Sequence, residues 1–123
     1  MGCYRGKAWG LEMYRILRSS KMTLNHHIDV AQHYANNMRL FEATGVGTLL
    51  ITDWKENLHE MFEPGKEVVA YRSPDECVEL IQYFLEHGDE RESIAYAGQR
   101  RTLAEHTYHH RMLEFIDIVR KHL

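Results

Sequence analysis

Asn36-Asn37-Met38-Arg39-Leu40-Phe41-Glu42-Ala43-Thr44-Gly45-Val46-Gly47-Thr48-Leu49-Leu50-Ile51-Thr52-Asp53 is the stretch that decides the fold of this chain. Two amides lead into a short segment of helical composition. A valine between two glycines then makes a turn, and an apolar run of strand length ends on a carboxylate. The run Thr48 to Thr52 shows no alternation of apolar and polar residues, which suits a parallel strand buried on both faces. The start of the helix carries free backbone N–H groups and the positive end of the helix dipole, so it favours anions. The polar start at Asn36, Asn37 and Arg39 therefore points to a phosphate-bearing ligand.

Working outward, Leu11 to Ser19 has helical spacing, with Leu11, Tyr14 and Leu17, or Met13, Ile16 and Leu17, available for burial. Lys21 to His27 reads as a strand and is followed by a polar loop through Asn36. Beyond the central stretch come a short helix over Leu58 to Phe62, a turn at Glu63-Pro64-Gly65 and a strand over Glu67 to Tyr71. Ser73-Pro74-Asp75-Glu76 places Ser at the N-cap, Pro at the first helical position and Glu three residues after the cap. Val78, Ile81, Phe84 and Leu85 form the apolar stripe of that helix, and Gly88 is expected to end it. Asp89 to Glu92 starts another helix with the same capping logic, running to about His106. Thr107 caps a last helix in which Met112, Phe115, Ile116, Val119 and Leu123 keep helical spacing. Strands alternating with helices predict an α/β fold of three layers, with a mostly parallel sheet, Rossmann-like topology and a helical C-terminus.

Composition narrows the function. A chain of 123 residues with 44% hydrophobic and 27% charged residues is one domain or part of one, with a modest core. A formal charge of -3 argues against a general nucleic-acid binder, which needs a basic face. Cys3 and Cys77 make no disulfide framework and fit a reducing compartment, so a cytoplasmic location is expected. No apolar run approaches the roughly 20 residues of a membrane span, and no signal-peptide pattern is present.

Several pieces, taken in order, resemble one family over nearly the whole chain. They are Trp9-Gly10, Met22-Thr23-Leu24-Asn25, the central stretch, Leu58-His59-Glu60-Met61-Phe62-Glu63-Pro64-Gly65-Lys66-Glu67-Val68-Val69, Ala97-Gly98-Gln99-Arg100-Arg101 and Glu105-His106-Thr107-Tyr108. Together they resemble the C-terminal half of GT-B-type glycosyltransferases. The nearest likeness is to the glycosyl transferases group 1 family that includes CgeB-like spore proteins. The resemblance implies that residues 1–123 form a partial GT-B C-terminal domain, its second half, because a complete domain has about six strands where three are visible here. It implies a nucleotide-sugar donor, no cofactor or bound metal, and an acceptor domain and upstream strands outside this chain. In the complete enzyme a sugar would pass from the nucleotide to an unknown acceptor. The rival reading is a truncated, noncatalytic binding or assembly module. In the doubly wound order that the resemblance implies, the strand Lys21 to His27 lies at an open sheet edge, which predicts a homo-oligomer that covers it or else residues before Leu11 folding over it.

The same resemblance assigns Glu42 to the ribose or sugar hydroxyls of the donor, although an i,i+3 pair with Arg39 explains it without a ligand. Tyr34 stands where many retaining relatives carry a further glutamate. Arg39 suits a bidentate phosphate contact, and Asn36 or Asn37 serves either as a helix cap or as a sugar ligand. Asn25 and Asp53 end strands on the side where open parallel sheets bind ligands. Their ordinary roles would be a turn residue and a helix cap. Trp54 and Lys55 approach the same side, and Glu60 lies where relatives often have a substrate-facing glutamate. His26, His27, His33, His109 and His110 lack the spacing of a zinc site and read as loop or surface residues. No nucleophile elbow and no dinucleotide fingerprint is present, which removes the hydrolase and dehydrogenase readings.

Overall fold

The computed structural model describes residues 6–27, 35 and 38–123. Within them lie α1 (Gly10–Ser19), β1 (Met22–Asn25), α2 (Arg39–Gly45), β2 (Leu49–Asp53), α3 (Leu58–Met61), β3 (Val69–Tyr71), α4 (Pro74–Glu86), α5 (Gly88–Glu105) and α6 (Tyr108–Lys121). The strands form one parallel sheet in the order β1-β2-β3, with Leu24 opposite Ile51 and Ile51 opposite Val69. The fold is the predicted one: α/β, Rossmann-like in its succession of strands and helices, and helical at the C-terminus.

β2 is central and buried along its whole length, so its successive side chains feed two cores. Leu50 points to the face shared with Leu40, Ala43, Leu58, Phe62 and Val68, from α2, α3 and the approach to β3. Leu49 and Ile51 point to the other face, against Val69, Tyr71, Cys77, Phe84 and Ala95, from β3, α4 and α5. Each large aliphatic side chain buried in this way is worth about 1.5–3 kcal/mol. The uninterrupted apolar run is thus explained by helices on both sides of the sheet. Gly47, at φ +84°, makes the turn into β2, while its N–H donates to Thr44 O at 3.0 Å.

Ser73 caps α4 as its sequence requires, accepting from Glu76 N at 3.1 Å, and Thr107 caps α6 in a capping box completed by His110. The boundary between α4 and α5 differs from the expectation. His87 occupies the cap position of both helices, and Gly88 is the first residue of α5 without a left-handed φ, so glycine chemistry does not end α4. No side chain caps the start of α5. The strands are also shorter than their apolar segments: Lys21, His26 and His27 lie outside β1, and Glu67 and Val68 outside β3. Of the two apolar faces expected for α1, only Leu17 is buried. Among the described strands β1 pairs with β2 alone, and its Leu24 is exposed. No helix among the described residues is long and apolar enough to cross a membrane.

Candidate functional site

The carboxyl ends of the three strands meet at Asp53, the last residue of β2. Its Oδ1 accepts from the His27 backbone N–H at 3.0 Å, from His27 Nδ1 at 2.6 Å and from Thr52 Oγ1 at 3.3 Å. Thr52 Oγ1 in turn accepts from Asn25 Nδ2 at 3.1 Å, so the ends of β1 and β2 are joined by a buried polar chain. Asp53 Oδ2 faces His26 Nδ1 and Lys55 Nζ, each at 3.6 Å. Burial alone would raise the Asp53 pKa. The hydrogen bonds from the His27 side chain and backbone, with the charges of His27 and His26, outweigh burial and hold the carboxyl below its usual range. Asp53 therefore presents a fixed, ionised carboxylate at the carboxyl end of the sheet.

β3 contributes Tyr71, whose hydroxyl donates to Asn25 O at 2.9 Å and lies 3.3 Å from His26 Nδ1. Burial first, then the nearby Asp53 and Cys77, push its pKa up to about 12, so the phenol keeps its proton. Trp54 follows Asp53 and carries the Arg72 guanidinium over its ring at 4.7 Å. His26, Asp53, Trp54, Tyr71, Arg72 and Ser73 line a crevice of ≈ 700 Å³ whose floor includes Cys77. Cys77 is buried, and burial raises its pKa, so the thiol is a packing group here.

The residues singled out in the sequence fall into three groups. Asn25 and Asp53 are joined through Thr52, Asp53 in the crevice wall and Asn25 buried behind it, and neither has its ordinary role. Asn25 is a buried strand residue bonded to Thr52. Asp53 does not cap α3, whose N-cap position is held by Asn57, itself bonded to Ala35 through both side-chain atoms. Arg39 and Glu42 pair with each other at 3.6 Å in the first turn of α2, and Glu42 lines a separate cavity of ≈ 520 Å³ with Tyr14, Phe41, His106 and Arg111. Asn36 and Asn37 lie outside the described residues, as do His33 and Tyr34, and the N-cap position of α2 belongs to Met38 with no side-chain cap. Glu60 is exposed on α3.

The sequence reading missed His27, Thr52, Tyr71 and Arg72. His27 corrects the view of the histidines as loop or surface residues. Its side chain is fully buried beside Asp53, whereas His26 is 70% exposed. No local signal points to it: the placement follows from the register, in which Asn25 lies opposite Thr52, so that His26-His27 and Asp53 come side by side at the strand ends. Among the described residues no group of three or more His, Cys, Asp or Glu side chains is placed to hold a metal ion.

A parallel sheet covered by helices, with a crevice at the carboxyl ends of its strands, defines a Rossmann-like α/β domain. The chain belongs to the glycosyl transferase-like family, whose family model matches residues 2–117. No curated protein matches the chain.

Proposed function

We propose that this chain binds the nucleotide-sugar donor of a GT-B-type glycosyltransferase, as the second half of its donor domain, with the crevice around Asp53 as part of that site. The observation that carries the reading is the ionised Asp53 carboxylate at the wall of a ≈ 700 Å³ crevice beside Trp54, Tyr71 and Arg72. Family membership supplies the chemistry of glycosyl transfer. A nucleotide sugar offers hydroxyl donors for carboxylates and carbonyls, a diphosphate for cations, and ring faces for aromatic side chains. Asp53 and Asn25 suit the first of these and Arg72 the second. Arg39 and Glu42, at the start of α2 and beside a separate cavity, are the other candidate donor contacts, Glu42 toward hydroxyls and Arg39 toward phosphate. Asn36 and Asn37 belong to the same segment. Transfer then proceeds by stabilising the departing diphosphate and by orienting donor and acceptor between two domains.

Isothermal titration against a panel of nucleotide sugars and the corresponding nucleoside diphosphates tests this reading. Binding is expected in the range of about 1 μM to 1 mM that is ordinary for enzyme substrates. Glu42→Gln should weaken it while the melting temperature stays close to that of the parent. Absence of binding to every nucleotide would defeat the reading, and unchanged affinity in Glu42→Gln would remove that residue from the site.

A further inference from the structure

The two oxygens of Asp53 are treated differently by the fold. Oδ1 meets three donors, two of them from His27. A carboxylate oxygen has two lone pairs, so Oδ1 has no capacity left for a ligand. Oδ2 faces His26 Nδ1 and Lys55 Nζ, but at 3.6 Å each is beyond hydrogen-bonding distance. Asp53 nevertheless forms part of the crevice wall. The carboxylate is thus anchored through one oxygen and has acceptor capacity remaining on the other.

Resting on the crevice being a nucleotide-sugar site, we infer that Asp53 Oδ2 accepts a hydroxyl of the sugar moiety and that His27 is the residue that positions it. The charge of Asp53 excludes the diphosphate from this spot, because two anions at contact distance repel and neither can donate a proton to the other at neutral pH. A sugar hydroxyl donates readily to a carboxylate, and such charge-assisted bonds are stronger than neutral ones. The sugar ring then lies beside Tyr71 and Trp54, while the phosphates lie toward Arg72. His27 never touches the ligand. Its imidazole is buried, with Nδ1 donating to Asp53 and Nε2 lacking a hydrogen-bond partner among the described residues. That geometry suits a residue held for the sake of its Nδ1–H. A purely architectural role, stapling the end of β1 to the end of β2, predicts a loss of stability without any change in ligand preference.

The experiment compares a nucleotide sugar with the same nucleoside diphosphate, titrated into the parent chain and into Asp53→Asn, His27→Phe and His27→Asn, each checked by thermal melting. The parent should prefer the sugar-bearing ligand. Asp53→Asn should weaken that ligand by about 10-fold or more, the scale of a lost hydrogen bond to a charged group. Affinity for the bare diphosphate should stay within about 2-fold. His27→Phe should behave like Asp53→Asn. His27→Asn, whose amide N–H can replace Nδ1–H, should recover most of the preference. If the parent binds both ligands equally, or Asp53→Asn keeps the preference, the inference fails and the nucleotide-binding reading stands. If His27→Asn does no better than His27→Phe, the positioning role of His27 fails. If His27→Phe does not fold, Asp53→Asn and His27→Asn decide the question, since loss in the first with retention in the second is still required. If the parent binds neither ligand, the inference and the proposed function fall together.

Discussion

Helices α5 and α6 follow each other in the chain and dock by opposite rules. α5 carries no continuous apolar stripe, yet Ala95, Gly98 and Thr102 are buried. α6 keeps Met112, Phe115, Ile116 and Val119 at helical spacing, yet none of its residues is buried. The difference lies in how near a helix can come to its neighbour. A methyl built on Gly98 would sit 2.3 Å from the Glu67 carbonyl oxygen, so α5 touches the backbone leading into β3 at a point where no side chain fits. One turn on, the Thr102 hydroxyl meets that of Thr44 on α2 at 2.6 Å. Small residues let α5 approach, and the approach buries them. α6 has large apolar residues, but its described contacts gather at its first turn, where Arg111 donates to His106 Nδ1 at 2.7 Å and lies 5.7 Å from the Phe41 ring. An apolar stripe states what a helix can bury, and only a surface shaped to receive it determines whether it does.

Gly98→Ala should break the α5 side of this comparison most severely. The added methyl meets backbone, which cannot rotate away, so α5 or the segment at Glu67 must shift. Overpacking of this kind costs about 1–3 kcal/mol or more, well above the small gain in helix propensity that Ala brings over Gly. The expected result is a clear drop in the denaturation midpoint with an unchanged slope. A midpoint equal to that of the parent would show that α5 does not approach so closely.

The hydroxyl pair gives a smaller effect. Thr44 Oγ1 already donates to Leu40 O at 2.6 Å, so in the pair Thr102 is the donor and Thr44 the acceptor. Thr102→Val keeps the volume and removes that donor, with an expected cost of about 1 kcal/mol. In a double-mutant cycle with Thr44→Val the two losses should fall short of additivity, because one bond is counted twice. Strict additivity would mean that the hydroxyls do not interact.

The contrast also explains how much was legible in the sequence. β2 was readable because burial on both faces leaves an unbroken apolar run, and the starts of α4 and α6 because Ser73 and Thr107 satisfy free N–H groups locally. The docking of α5 was not, since Ala95, Gly98 and Thr102 carry no hydrophobic periodicity and acquire meaning only from Glu67 and Thr44, 31 and 58 residues away by subtraction of their numbers in the chain. The candidate site divides along the same line. Asn25 and Asp53 announce themselves as polar residues at strand ends. The role of His27 depends on the register between β1 and β2, which no local pattern encodes. The stop of α4 was misread because a glycine normally signals a C-cap, whereas Gly88 continues in helical conformation as the start of α5.

His106, at the junction of the two helices, makes their attachment sensitive to pH. Its Nε2 donates to Met61 O at 2.8 Å and its Nδ1 accepts from Arg111, a pattern that requires the neutral ring. Burial lowers its pKa, the Met61 hydrogen bond and Glu105 oppose the shift, and Arg111 and Arg101 add to it. A histidine that resists protonation when folded and accepts it freely when unfolded contributes full stability above its ordinary pKa of about 6.5. That contribution is lost as pH falls through the lower folded value. Stability of the parent should therefore decline below about pH 6.5 more steeply than that of His106→Gln, which keeps a donor for Met61 O but does not titrate. Parallel pH profiles of the two proteins would refute the arrangement.

The smallest effect should come from the helix that looks most hydrophobic. Phe115 is 59% exposed and Ile116 40%, so replacing either by Ser removes little surface from contact with the rest of the chain. If α6 packs as described, Phe115→Ser and Ile116→Ser should each change stability by no more than about 0.5 kcal/mol, the usual range for exposed positions. Serine lowers helix propensity slightly, which accounts for part of even that change. Fixed-temperature denaturant melts of the two variants against the parent measure it, and running them at several protein concentrations removes any contribution from self-association. A loss approaching that of Gly98→Ala would mean that the α6 stripe is buried in solution after all. The contrast between the two helices would then reduce to one of side-chain size.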